Sequence, residues 1–550
     1  MALPGLMQPH GLLIPSLLDH AARWHGQTEI VSAFPDGSRT RHSYAQIRGR
    51  ALKLADALRA RLGARAGDRI ATLAWNSHRH VEQFFAIPGI GAVCHTVNPR
   101  LFEEQIAYIM NHAGDRFVFT EPDFLPLLER IAPSLASVEG WVVLGDTASC
   151  PATTLAPLYG YEELVAQGDE RAGWTPVDEN AASSLCYTSG TTGMPKGALY
   201  AHRSNVLHAM ATVQPGALNL SAEDVVMPIA NMYHANAWGL PFACAMAGAK
   251  LVLPGRAVDG PAVCTLIHEE GVTFACAVPT VWTMALDHLE RTGSDMGRLK
   301  RILVGGAPMP RALYETFRDR YGVQALHGWG MTELSPLGAL GTATAAVAAM
   351  DEEARTDQLL KQGRPPFGID LKITGPDGEP LPHDGQHSGA LWARGPWVIR
   401  TYYGREDEPL LDPDGWFPTG DMATIDAHGF MRITDRVKDV IKSGGEWISS
   451  VELEDHACSH PEVAMAAVVG VPHPRWDERP LLLIVPKPGR QPTAAALLEH
   501  LRPRVVKWWL PDDVVVLAEL PMTATGKISK LTLRERFREH YAGQAGARSA

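Results

Sequence analysis

Through the first three quarters of the chain, short apolar runs alternate with segments whose apolar residues recur at helical spacing. RIATLAW, AVCHTVN, KLVLPG, VTFACAVP and LKRILVGGAP are bounded by turn residues and read as buried strands. HRHVEQFFAIPGIG, TVWTMALDHL and RALYETFRDRYG read as helices between them. Such alternation predicts doubly wound parallel sheets, with ligands held in the loops at the carboxyl ends of the strands. The most apolar stretch, ANAWGLPFACAMAGA, is too short to span a bilayer and carries an asparagine and a proline, so it reads as buried core. From about Gly363 the texture changes. GIDLKITGPDGEPLP, GALWARGPWVIRTYYG and DGWFPTGDMATIDAHGFMRITDR are strand-like with D-G and H-G turns, which predicts an antiparallel sheet or small β-barrel. After DRVKDVIKSGG, the helix SSVELEDHACSH, the strands MAAVVGVP and LLLIVP, the helix AAALLEHLRPRV and the strand DVVVLAEL predict a small α+β domain of roughly a hundred residues. The expected fold class is therefore α/β: a large N-terminal domain, residues 1–437, of doubly wound sheets plus the small barrel, then a small α+β domain, residues 438–550, with the boundary near Lys438.

A chain of 550 residues exceeds one hydrophobic core. A formal net charge of -11 argues against nucleic acid as the main partner. The seven cysteines are scattered without a C-x-x-C, so neither a disulfide framework nor a zinc site is expected, and a reducing cytoplasm is. The N-terminus lacks a basic region before its apolar residues, so no signal peptide is expected, and the terminal RSA is not a peroxisomal address.

The candidate chemistry begins at YTSGTTGMPKG, Tyr187 to Gly197, with four serine and threonine hydroxyls, three glycines and a lysine. Hydroxyl and bare backbone donors plus one mobile cation suit a polyanion such as a triphosphate. The P-loop pattern G-x-x-x-x-G-K-[ST] does not fit, because Pro195 precedes Lys196 and Gly197 follows it. SLCYT before the loop and GALYA after it read as strands, and the next helix starts at Ser204 as N-cap, so the loop reads as a strand–loop–strand clamp. Alone, it is as readily a surface turn. VGGAP and HGWGMTE also follow strand candidates, so the three loops are expected to converge on one crevice.

Five stretches stand in order: YTSGTTGMPKG, GWGMTE, GWFPTGD, DRVKDVIKSGGEWISS and TATGKISK. Together they resemble the AMP-forming adenylating superfamily of acyl-CoA synthetases, luciferases and peptide-synthetase adenylation domains, from about residue 15 to about residue 540. YHANAWGLPF and IKSGGEWISSVELED look most like the medium- and long-chain fatty-acyl-CoA synthetase branch, and IPSLLDHAARWHGQTEIVS looks like the related methylthiopropionate–CoA ligases.

The resemblance implies ATP-dependent, AMP-forming ligation of a carboxylic acid to coenzyme A through an acyl-adenylate, with Mg²⁺ as cofactor and ATP and CoA as co-substrates. It implies that Ser189, Gly190, Thr191, Thr192 and Lys196 wrap the β- and γ-phosphates, with Thr188 beside the metal. Glu333 is the implied Mg²⁺ ligand, Thr332 touches the α-phosphate, and Gly306, His327, Gly328, Trp329 and Gly330 line the adenine and acyl-adenylate slot. Asp421 would hold the ribose hydroxyls and Arg436 the ribose or phosphate. Lys527 is the implied catalytic lysine, bridging the attacking carboxylate and the α-phosphate. Lys438 matches the hinge; Lys442 and the GGEW loop would serve the thioester step, with Trp447 at a nucleotide-contacting position. His234 and Ala235 would neighbour the acyl-adenylate, and Trp238 matches a gate to the acyl tunnel. Packing roles compete for Trp447 and Trp238, as a turn does for Asp421 and a helix start for Thr332-Glu333. A medium-chain fatty acid is the expected substrate, then longer chains and methylthiopropionate. Two competing functions are acyl loading of a carrier protein and non-catalytic binding of an acyl group or nucleotide. A homodimer is expected from relatives.

Overall fold

The computed structural model describes residue 3 and residues 5–188, 194–444, 446–522 and 528–542. The chain divides into two compact units, one of Met1–Thr188, Pro195–Asp370 and Arg394–Phe417, the other built on Leu371–Ala393 and the chain from Pro418.

Two sheets organise the first unit. A seven-stranded sheet runs in the order Leu158–Gly160, Gly140–Val143, Asp115–Thr120, Arg69–Leu73, Val93–Thr96, Ala182–Tyr187, Gly197–Ala201. It is parallel throughout except for its last pair. An eight-stranded sheet runs Leu337–Leu340, Gln324–Gly330, Arg301–Val304, Phe274–Ala277, Val225–Pro228, Lys250–Leu253, Glu29–Ala33, Arg39–Ser43, with a parallel middle and antiparallel edges. The doubly wound expectation is met, and its reason is visible in the strands. Their apolar runs are covered by helices, so both faces are buried. The helix His78–Gly89 starts where the Ser77 hydroxyl accepts the His80 N–H. It packs Phe84 and Phe85 against Phe242 of the helix Leu240–Ala247, ring centroids 5.7 Å apart in both pairs. Each such ring contributes about 1.5–3 kcal/mol by leaving water, which places the apolar ANAWGLPFACAMAGA stretch in the core as read.

The second unit holds a four-stranded sheet in the order Asp370–Thr374, Gly389–Arg394, Phe417–Ile425, Met431–Arg436, whose last pair is antiparallel. It also holds an α+β body in which Val463–His473 pairs with Asp477–Pro486, and Asp477–Pro486 with Asp513–Val516. The helices Ser450–Cys458 and Ala494–Leu501 pack on this sheet through Leu453, Leu497 and Leu501. Trp508 and Trp509 pack against the same cluster.

Three local readings change. The helix after the loop is His202–Val213 and begins two residues before Ser204, whose hydroxyl lies inside the first turn and accepts the Ala201 N–H at 3.1 Å. HGWG is not a loop after a strand but the end of the strand Gln324–Gly330 itself. In GALWARGPWVIRTYYG only Gly389–Arg394 is a strand. Pro396 has no N–H to give a ladder, and the backbone beyond it bonds instead to Glu333 and Gly197, through Ile399 at 3.0 Å and Tyr403 at 2.8 Å. Among the described residues no helix is long and apolar enough to cross a membrane.

Candidate active site

The strands Ala182–Tyr187 and Gly197–Ala201 stand antiparallel on either side of the hydroxyl-rich loop, so no helix N-terminus follows it. Its neck is closed twice: the Thr188 N–H donates to the Lys196 carbonyl at 2.9 Å, and the Lys196 N–H to Thr188 Oγ1 at 3.1 Å. Ser189, Gly190, Thr191 and Thr192 lie outside the described residues.

From the neck a chain of side chains leads to the acid expected at the metal. Lys196 Nζ lies 4.9 Å from the Tyr402 ring centroid, and the Tyr402 hydroxyl donates to Glu333 Oε1 at 2.7 Å. Burial, then the charge of Glu333, pushes the Tyr402 hydroxyl well above the ordinary tyrosine range, so it remains a protonated donor. Glu333 sits on the short turn Thr332–Leu334, directly after Met331 and the strand Gln324–Gly330. Its carbonyl accepts from Ile399, and the carbonyl of Thr332 accepts from the buried Tyr200 hydroxyl. Thr332 and Glu333 are 7% and 6% exposed, so this carboxylate is held in place rather than solvated. The two sheets thus bring Thr188, Lys196, Thr332 and Glu333 into one neighbourhood.

The next wall is made of bare backbone. His327 is buried; its Nδ1 faces the Leu360 carbonyl at 2.7 Å, so that nitrogen carries the proton. Burial lowers its pKa against the pull of that carbonyl, which keeps the ring neutral. Gly306 has φ +79. A Cβ on Gly305 would lie 2.7 Å from the Trp238 ring, and Cβ atoms on Gly328 and Gly330 would lie 3.4 Å from it. A Cβ at Gly330 would also meet the Pro336 carbonyl at 2.2 Å. The indole of Trp238 therefore lies on a glycine shelf at the ends of Arg301–Val304 and Gln324–Gly330.

The turn that delivers Trp238 is unusual. Ala235, Asn236, Ala237 and Trp238 all have positive φ, 41, 49, 51 and 59, and Gly239 continues at 68. A left-handed non-glycine residue costs roughly 1–2 kcal/mol, so four in succession persist only where the surroundings over-determine them. Asn76 fixes the approach: its amide donates to the carbonyls of Pro228 at 2.8 Å and Ala230 at 3.0 Å and accepts from the Met232 N–H at 2.8 Å. His208 fixes the exit. Its ring occupies the place of a Cβ on Gly239, 2.7 Å away, and its Nε2 accepts the Leu337 N–H at 3.2 Å. His234 is exposed and Ala235 buried.

In the second unit, Asp421 and Arg436 are cross-strand partners, Arg436 Nε 2.8 Å from Asp421 Oδ1. Asp421 is buried and its N–H donates to Thr419 Oγ1 at 3.1 Å. Burial pulls the Lys438 ammonium below the usual lysine range, opposed by the charge of Asp439, and its carbonyl accepts from Arg534 at 3.3 Å. Lys442 is exposed and stands opposite Trp447 in the hairpin of Ile441–Ser443 and Glu446–Ile448. Gly444, with φ +61, leaves room for Trp508 and Trp476, where a Cβ would come to 3.0 and 3.3 Å. Lys527 lies outside the described residues; the ends of its segment are joined by the Met522–Ile528 bridge and by the Ser529 N–H donating to Pro521 at 2.7 Å.

Tyr200, Tyr402, Asn76 and His208 carry no signal of these roles in the sequence. Tyr200 and Tyr402 lie in stretches that read as strand, and only the Tyr402-Tyr403-Gly404 end of a proline-broken run hints at another use.

The chain matches the AMP-binding enzyme family over residues 17–403 and the AMP-binding enzyme C-terminal domain over residues 452–527. It is 50% identical over 539 residues to a 3-methylmercaptopropionyl-CoA ligase of Ruegeria lacuscaerulensis, covering 98% of this chain and 100% of that protein. It is 48% identical over 533 residues to a medium-chain-fatty-acid–CoA ligase of Ectopseudomonas oleovorans, covering 97% of each. Among solved structures it resembles an anthranilate CoA ligase in complex with anthranoyl-AMP, with a TM-score of 0.82 and 25% identity over 97% of this chain and 99% of that one.

Proposed function

The chain belongs to the family of AMP-binding enzymes, and on that premise we propose that it joins a carboxylic acid, a medium- or long-chain fatty acid, to coenzyme A through an acyl-adenylate. Its relatives act as CoA ligases by name, and the reaction class follows: an acyl-CoA ligase with ATP and CoA as co-substrates. The observation that carries the reading of the site is the Lys196–Tyr402–Glu333 chain, which ties a phosphate-loop cation to a buried, oriented carboxylate.

In the first half-reaction a carboxylate oxygen of the acid attacks the α-phosphorus of ATP, the Pα–O bond to the β-phosphate breaks, and pyrophosphate leaves. Ser189, Gly190, Thr191, Thr192 and Lys196 hold the departing phosphates, Thr332 the α-phosphate, and Lys527 offsets repulsion between the two reacting anions. Asp421, oriented by Arg436, accepts the ribose hydroxyls. Gly306, His327 and Gly328 form the nucleotide wall, with the neutral His327 as scaffold rather than base. In the second half-reaction the CoA sulfur attacks the carbonyl carbon and AMP leaves. Lys438 is the pivot at which Lys527 withdraws and the face of Lys442 and Trp447 takes its place.

Glu333 and Thr188 suit Mg²⁺. Glu333 is a single hard carboxylate whose Oε1 already accepts from Tyr402, and among the described residues no cluster of three acidic, histidine or cysteine groups could hold a metal alone. Such a sparse oxygen set fits an ion that keeps water and phosphate ligands. When bound, Mg²⁺ would neutralise charge on the phosphates. Tyr402→Phe removes the hydroxyl that orients Glu333. Loss of one hydrogen bond to a charged group is worth about 1.5–3 kcal/mol, so adenylation is expected to slow about tenfold, and the Mg²⁺ concentration for half-maximal rate to rise. An unchanged Mg²⁺ titration would detach Tyr402 from the metal.

The acid is a medium-chain fatty acid in this reading. The 3-methylmercaptopropionyl-CoA ligase relative favours a second one, a short thioether acid. Trp238→Ala distinguishes residues that shape the acyl site from core packing: it is expected to shift the preferred chain length and raise KM for the preferred acid about tenfold, with KM for ATP within about twofold. An unchanged acyl profile would return Trp238 to the core.

A further inference from the structure

One strand, Ala182–Tyr187, leads directly into the loop at Thr188, and buried polar side chains link it to the left-handed turn. Cys186 Sγ donates to Asn236 Oδ1 at 3.2 Å and lies 3.0 Å from Thr96 Oγ1. Asn236 Nδ2 reaches toward Ser184 Oγ at 3.5 Å, and that oxygen also accepts from Asn205 at 3.1 Å. Asn236 and Cys186 are each 2% exposed, so water does not compete for these groups. Asn236 sits inside the left-handed turn at φ 49, ψ 40, two residues before Trp238. Asparagine tolerates this conformation better than the alanines beside it. Glycine would tolerate it better still, but glycine has no amide to reach the strand. The strand ends at Tyr187, and the next residue is Thr188 at the loop neck.

We propose that Asn236 is a positioning residue: by accepting the Cys186 thiol hydrogen bond it locks the left-handed turn to the strand Ala182–Tyr187, holds Trp238 on the shelf of Gly305, Gly328 and Gly330, and so sets which acid is accepted. The proposal rests on the ligase reading for its kinetic consequence, but not for its structural one.

The test uses the full chain and three variants, Asn236→Gly, Cys186→Ala and Cys186→Ser, each also made with Trp238→Phe. Subtracting the Trp238→Phe spectrum isolates the emission of Trp238 without substrate. Asn236→Gly keeps the backbone preference and deletes the amide. It is expected to shift that emission to the red and raise KM for the acid about tenfold, with KM for ATP within about twofold. Cys186→Ala is expected to act in the same direction about threefold, and Cys186→Ser, whose hydroxyl donates to the same oxygen, to stay within about twofold of wild type. The proposal is overturned by an Asn236→Gly chain with the parental emission and acid KM, since backbone tolerance would then suffice. It is equally overturned if acid and ATP KM rise together, or if alanine and serine at 186 behave alike. Should Asn236→Gly fail to fold, the Cys186 pair decides. A parent chain that turns over no acid would sink the ligase reading, while the emission spectra would still settle where Asn236 holds Trp238.

Discussion

Lys527→Ala is expected to lower acyl-adenylate formation about a thousandfold, roughly 4 kcal/mol of transition-state stabilisation, while thioester formation from supplied acyl-adenylate falls less than about threefold. The asymmetry follows from charge. Joining a carboxylate to the α-phosphate brings two anions together, and a lysine between them is worth most when water is excluded. In the second half-reaction the carboxylate charge is gone, because the carboxylate is already joined to AMP as a mixed anhydride. The chain that follows is anchored: Ser529 caps the helix Lys530–Arg536, whose Lys530 forms an ion pair with Glu454 at 2.8 Å and whose Arg534 pairs with Asp439. Alanine at 527 leaves these anchors untouched, so the thermal transition should not move. Exchange of labelled pyrophosphate into ATP reads the first step and release of AMP from acyl-adenylate plus CoA reads the second. Equal loss in both would remove Lys527 from the role assigned to it.

Glu333→Gln should cost adenylation about a hundredfold, near 3 kcal/mol, with a several-fold rise in the Mg²⁺ needed for half-maximal rate. The amide has the same shape, and its oxygen still accepts from Tyr402, so the turn Thr332–Leu334 and the Ile399 hydrogen bond should survive. What is lost is the hard anionic oxygen that magnesium prefers. Tyr402→Phe acts through the same carboxylate. In a double-mutant cycle the two losses should therefore fall short of additive. A Glu333→Gln enzyme with parental Mg²⁺ dependence, or additive losses in the pair, would place the metal elsewhere.

The parts of this molecule that can be read from the chain are those written in local pattern. Strands such as Arg69–Leu73 and Phe274–Ala277 are apolar runs between turn residues, and the α/β class follows from their alternation with helices. The loop at Thr188 stands out by composition joined to its order among the other motifs, whereas Asp421, for which a turn is the competing reading, lies inside the strand Phe417–Ile425. What stays hidden depends on contacts between distant segments. Tyr402 is 69 residues from Glu333, and Tyr200 is 132 residues from Thr332. Neither carries a local signal of its partner. The left-handed run at Ala235–Trp238 has alanines where glycines would be expected, because its conformation is imposed by Asn76, Cys186 and His208 from other elements. Ser204 shows the same limit on a small scale: a serine near a helix start is as useful inside the first turn as at the cap.

The central claim is tested most directly by pyrophosphate release with ATP and Mg²⁺ across straight-chain acids of increasing length and 3-methylthiopropionate, each with and without CoA. Continuous turnover that requires CoA and peaks at one acid is the predicted result, and the position of the peak separates the medium-chain reading from the short thioether one. Release that CoA does not accelerate, or none with any acid on the panel, would contradict it.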